Sequence, residues 1–111
     1  MPSIDCRAQE VEPAVALFRS LADPTRLAIL RRLSAGEARV NDLVHGLGMP
    51  QSTVSRHIAC LRDCGLITSR PEGRQSFYHL SQPVLLDLLV AAEGVLEATG
   101  RAVALCRDPG T

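Results

Sequence analysis

The chain contains no tryptophan and no lysine, and aromatics make up only 3% of its 111 residues. Without large rings, the core has to be assembled from Leu, Val, Ile and Ala, which favours packed helices over a sandwich of strands. A formal net charge of zero argues against a simple polycation that coats nucleic acid. No segment has the charged start, apolar run and small-residue cleavage site of a secretory leader, so a cytoplasmic protein is expected. The most apolar stretch, Val84 to Leu105, is interrupted by Asp87, Glu93, Glu97 and Arg101, which argues against a membrane span. There are no internal repeats and no low-complexity linker. Nor is there an oxyanion motif or a phosphate loop, so an enzyme using Cys60 or Cys64 as a nucleophile beside His57 finds no support.

What is present is unevenly placed. Residues 19–80 hold nine arginines against five acids, while both flanks are acidic. A nucleic-acid surface therefore belongs in the middle of the chain. The length fits one domain over residues 1–111. Val15, Leu17, Phe18 and Leu21 recur at helical spacing and mark a first helix over 11–21. Asp23-Pro24 restarts the chain as an N-cap followed by the first helical position. The second helix, 24–33, should bury Leu27, Ile29, Leu30 and Leu33, with Arg26, Arg31 and Arg32 pointing outward.

A short helix over about 40–47, a turn through Gly48 and Pro50, and a helix from Gln51 to Cys64 then read as a helix-turn-helix. Gln51, Ser52, Thr53, Ser55, Arg56 and His57 crowd the first two turns of that second helix and are the candidate DNA contacts. A polar helix start can also be merely a cap. Leu66 to Arg70 and Gln75 to Leu80 are β-leaning runs around a Gly73 turn, predicting a hairpin wing whose Arg70 and Arg74 sit at the tip. Pro83 opens a last helix expected to reach about Cys106. Its apolar stripe (Leu85, Leu86, Leu89, Leu96, Val103) is wider than so small a domain can cover, which predicts packing against a copy of itself.

Four cysteines in a chain without an export signal read as free thiols or metal ligands rather than as a disulfide framework. At about 100° per residue, Val54, Ile58 and Leu61 cluster on one face of their helix, while Cys60 and Cys64 fall roughly 100° away. As one helical turn separates the two thiols, they can share a soft metal ion. The competing reading, two small core residues, fits an isolated cysteine better than a pair turned off the core.

The segments L-A-D-P-T-R-L-A-I-L (Leu21 to Leu30), S-T-V-S-R-H-I-x-x-L (Ser52 to Leu61) and E-G-R-Q-S-F-Y-H-L (Glu72 to Leu80), in this order, resemble the ArsR/SmtB family of bacterial winged-helix repressors. The resemblance spans roughly 11–106. It implies a mainly α winged helix-turn-helix of about five helices plus a two-stranded hairpin, assembled as a homodimer through its first and last helices. Such a dimer binds operator DNA and is released when a metal or metalloid binds. The family's cysteine pair at the start of the third helix would fall on Arg39 to Asp42, which has no thiol, and its histidine site on the last helix has no histidine here. The run A-C-L-R-D-C-G-L (Ala59 to Leu66) is similar to the cadmium- and lead-sensing CmtR branch. There, two cysteines of the recognition helix act with a third from the C-terminal region of the other subunit. Cys106 is the implied third ligand, and Cys6 resembles an early cysteine of that branch.

Two or three thiolates favour soft ions: cadmium or lead, alternatively mercury or arsenite. Zinc would want a fourth ligand, which His57 could supply. His45 and His79 carry no constellation. A thiol redox switch on the same fold is the alternative chemistry.

Overall fold

The structure is a computed structural model that describes residues 10–106. The element order is α1 (Glu12–Leu21), α2 (Pro24–Leu33), α3 (Val40–Leu47), α4 (Gln51–Asp63), β1 (Ile67–Glu72), β2 (Gln75–Leu80) and α5 (Pro83–Ala98). This is the expected winged helix-turn-helix. Ile29, Leu30 and Leu33 of α2, Leu43 of α3, and Val54, Ile58 and Leu61 of α4 form a core closed by Ile67, Leu85 and Leu89. All of these side chains are Leu, Ile or Val, as the shortage of rings required.

The helix starts follow local chemistry. The Asp23 carboxylate accepts the Arg26 backbone N–H at 3.0 Å, and Pro24 occupies the first turn of α2. Asp42, three residues into α3, accepts the backbone N–H of Arg39 at 2.9 Å and two bonds from its guanidinium. Three helix ends, those of α3, α4 and α5, close on a left-handed glycine. α4 closes with Gly65 N–H on Arg62 O and Leu66 N–H on Leu61 O, around a left-handed Gly65 with φ 77°. This paired closure turns the chain directly into β1.

The wing is antiparallel, in register from Ile67↔Leu80 to Glu72↔Gln75. β1 thus runs two residues beyond the expected Arg70, and the tip is Gly73-Arg74. The wing is fastened at its base. Ala38 and Tyr78 exchange both backbone hydrogen bonds, at 3.1 and 2.8 Å, and Ser81 N–H donates to Leu66 O at 3.0 Å.

The last helix is shorter than expected: α5 ends at Ala98, not near Cys106. Gly100 takes φ 78°, its N–H bonds Glu97 O, and the Arg101 N–H bonds Leu96 O at 2.7 Å, the same paired closure as in α4. Residues 101–106 then double back. Glu93 Oε2 accepts the backbone N–H groups of Leu105 and Cys106, and Leu105 and Cys106 pack against the core. Val103 therefore lies outside the helix and does not extend its stripe. Apart from Leu85 and Leu89, α5 is not fully buried; Val90 is 55% and Val95 64% exposed. On α1, Phe18 is 57% exposed.

Candidate nucleic-acid interface and thiol pair

α4 is pinned to the core by Val54, Ile58 and Leu61, all buried on one face. Burial of that face turns Gln51, Ser52, Ser55 and Arg56 to solvent, with Thr53 half-buried. These five side chains make no hydrogen bond or ion pair to other described residues. A polar row held rigidly and left unpaired can donate to phosphates and base edges. Beside it lies an open cleft of ≈ 280 Å³ between wing and helices, lined by Asn41, Gln51, Gln75 and Ser76. Asn41, Gln75 and Ser76 escaped the sequence reading because they lie on two elements, α3 and β2, that only the fold brings beside α4.

Two expected DNA-facing residues, His57 and Arg70, sit differently, and Arg74 sits as expected. His57 turns away from the polar row: its side chain is 13% exposed and its Nδ1 is 3.8 Å from Asp23 Oδ2. The backbone N–H of Arg26, with the charges of His57 and Arg26, holds the Asp23 carboxyl below its ordinary range. Arg70 is not at the wing tip. Its guanidinium grips both Glu37 oxygens at 2.8 Å, bonds Glu72 at 2.7 Å and lies 4.9 Å over the Phe77 ring. Arg74, at the turn, is exposed and unpaired among the described residues.

The thiols divide into a pair and a single. Cys60 is half-buried and Cys64, the residue that caps α4, is exposed. Both meet the junction of α1 and α2. Ser20 Oγ is 2.8 Å from Cys64 Sγ, and Arg26 donates from Nη1 to Cys60 Sγ at 3.6 Å. Arg26 was expected to point outward. Instead it reaches back to donate to Ser20 O at 2.7 Å and Arg19 O at 3.1 Å, because the last carbonyls of α1 lack partners within their own helix. Ser20 and Arg26 were not among the candidate site residues. Ser20, at 6% exposure, is the buried residue of α1, and no signal in the sequence marks it, since its burial comes from the packing of α1 against α2 and α4.

Cys106 lies apart, its Sγ 3.9 Å from Leu86 O on α5. Burial first, then the charge of Glu93, pushes its thiol upward from the ordinary range. Among the described residues no group of three or more His, Cys, Asp or Glu side chains gathers as a metal cage. Cys6 lies outside the described residues. A single subunit therefore offers two sulfur donors together. That donor set suits a soft ion and leaves the remaining ligands to come from elsewhere. No helix among the described residues is long and apolar enough to cross a membrane.

The profile of the bacterial regulatory protein arsR family matches residues 23–69, from the cap of α2 into β1. The probable mercury resistance operon repressor of Streptomyces lividans is 37% identical over 94 residues, which cover 84% of this chain and 75% of that protein. The transcriptional regulator CmtR of Mycobacterium tuberculosis is 48% identical over 79 residues, covering 70% of this chain and 67% of CmtR. The homodimeric winged helix-turn-helix DNA-binding domain from Mycobacterium bovis superposes with a TM-score of 0.75 at 26% identity, covering 87% of this chain and 90% of that one. With the helix-turn-helix, the wing and relatives of this identity over most of their own length, the chain belongs to the ArsR/SmtB family of winged-helix transcriptional regulators.

Proposed function

We propose that this protein is a cytoplasmic, metal-responsive repressor that binds operator DNA as a homodimer and leaves it when a thiophilic ion, cadmium or lead, binds Cys60 and Cys64. The observation that carries this reading is the thiol pair itself. It sits on the helix that presents Gln51, Ser52, Thr53, Ser55 and Arg56 to solvent, so reading DNA and binding metal fall to one element. The exposed apolar residues of α1 and α5, with Phe18 and Val90 foremost, supply the dimer interface. The dimer holds two copies of α4 about one DNA turn, ~34 Å, apart.

The third sulfur in this reading is Cys106 of the partner subunit, since within one subunit Cys106 is held on α5. Cys6 is a further possible donor. Metal entry displaces thiol protons, so thiolates stabilise the bound ion. Arg74 contributes phosphate contact from the wing tip, and Arg70 supports the wing. His57 supports the start of α2.

Because linkage is reciprocal, an ion that favours the DNA-incompetent arrangement must weaken DNA binding by the factor with which DNA weakens ion binding. Operator affinity measured with and without cadmium tests the sign, and equal affinities overturn the reading. Titration with cadmium, lead, mercury and arsenite, followed by sulfur-to-metal ultraviolet absorption on Cys→Ser variants at 6, 60, 64 and 106, assigns the ligands. Stoichiometric binding without Cys60 and Cys64 overturns the site.

Mercury is the second reading, favoured by the likeness to the probable mercury resistance operon repressor of Streptomyces lividans and by a donor set of two thiols one helical turn apart. Release by mercury that survives Cys106→Ser, with no response to cadmium, selects it. A redox switch is selected instead by release under peroxide alone.

A further inference from the structure

The buried residue of α1 is Ser20, a polar side chain on a helix whose Val15 and Phe18 are exposed. Its hydroxyl reaches two acceptors, Ala16 O at 3.0 Å within α1 and Cys64 Sγ at 2.8 Å on α4. A serine hydroxyl carries one proton and cannot donate to both. With Cys64 as a thiol, the sulfur can give its own proton to Ser20 Oγ, which leaves the serine free to donate to Ala16 O. A Cys64 thiolate holding a metal would have no proton to give, and Ser20 would turn its own from Ala16 O to the sulfur, so that the last turn of α1 would lose a side-chain bond.

Cys60 is tied to the same turn by a second route. Arg26 holds Ser20 O and Arg19 O with Nε and Nη2 and reaches Cys60 Sγ with Nη1. A cation arriving at Cys60 repels the guanidinium that now lies against the sulfur. Displacing that group loosens its grip on the carbonyls that end α1. Both thiols therefore act on one place, through independent side chains.

We infer that Ser20 and Arg26 are positioning residues that transmit occupancy of the Cys60–Cys64 pair to the C-terminal turn of α1. This rests on the functional reading above and assigns its route. The signal leaves the reading helix through α1, the element whose exposed Phe18 faces the proposed dimer partner, and does not depend on Cys106 alone.

Two measurements test it. In the first, the loss of operator affinity on saturation with cadmium is expressed for each variant as a ratio to its own metal-free affinity, with loading verified by absorption. Ordinary coupling makes that ratio about 5- to 150-fold in the parent. Ser20→Ala and Arg26→Gln should each shrink it by about fivefold, the worth of one hydrogen bond, and Ser20→Thr, which keeps the hydroxyl, should restore it. Ratios equal to the parent in loaded variants overturn the inference. The second measurement needs no metal. The unfolding constants of Ser20→Ala, Cys64→Ala and the double variant should depart from multiplicativity by about fivefold. Independent effects overturn the contact and with it the inference, whatever cadmium does. If the parent binds no thiophilic ion, the functional reading falls while this second measurement still decides the contact.

Discussion

Asp42 shows how much one side chain sets locally. Hydrogen bonds from the Arg39 side chain and backbone pull its carboxyl down to about 2, and Arg39 goes on to bond Gln75 on the wing at 3.1 Å. A carboxyl depressed in the folded state adds stability that is fully present above its ordinary range near 3.8 and is lost as pH falls toward 2. Glu37, lowered by Arg70, acts in the same direction. Thermal melts between about pH 5 and pH 2 should therefore show a steeper decline for the parent than for Asp42→Asn, whose deficit is largest at the upper end. Parallel curves would refute the pairing. At this scale the sequence is least legible. Helical spacing directed Arg26 and His57 outward, yet the ends of long side chains follow nearby unpaired carbonyls and carboxylates. Those partners, Ser20 O and Asp23, are set by the turn between α1 and α2, which spacing does not describe.

Elements were far easier to read. Asp23-Pro24 announces α2 because a carboxylate cap and a proline without an N–H suit a helix start, and Gly73 announces the hairpin because its φ of 63° is open to glycine. The end of α5 was the failure. Ala102, Val103, Ala104 and Leu105 continue an apolar pattern, but Gly100 closes the helix before them, and that closure outweighs periodicity. The wing carries a prediction of its own. Arg70 is occupied by Glu37 and Glu72, whereas Arg74 is free at the turn. Arg74→Ala should weaken operator binding and lower the dependence of log affinity on log salt by about 1, as for one lost phosphate contact. Arg70→Ala should leave that slope unchanged and instead loosen the wing, seen as faster amide exchange in β1 and β2. A slope loss confined to Arg70→Ala would reverse the two roles.

For the whole molecule, an apolar surplus on the last helix was legible, but not the residues that carry it. Leu85 and Leu89 of the expected stripe lie in the core and Val103 lies outside the helix, whereas the exposed side chains are Val84, Val90 and Val95, with Phe18 on α1. Val90→Glu places a charge in the proposed interface. It should shift the dimer toward monomer by tenfold or more in dissociation constant, at about 1.4 kcal/mol per tenfold, as measured by sedimentation. Operator affinity should fall with it, because half-sites are then read singly. A dimer of parent strength would place the interface elsewhere. The thiol pair was legible for a similar reason, as two residues one turn apart and off the core face. Its connection to α1 was not, because it depends on a serine and an arginine that come near it only through the packing of three helices.

The double backbone bond between Ala38 and Tyr78, with Ser81 fastened to Leu66, joins the wing to the helices as a stiff arm rather than a loose flap. The four residue steps from Tyr78 to Arg74, at about 3.4 Å each, make that arm ~14 Å long. A tilt of ~8° at its base would carry Arg74 sideways by ~2 Å, enough to take a guanidinium out of hydrogen-bonding range of a phosphate. On the function proposed above, the wing would act as mechanical gain: a displacement at the cysteines too small to move α4 would be enlarged at the tip, and the first contact with DNA to fail would be the one farthest from the sulfur.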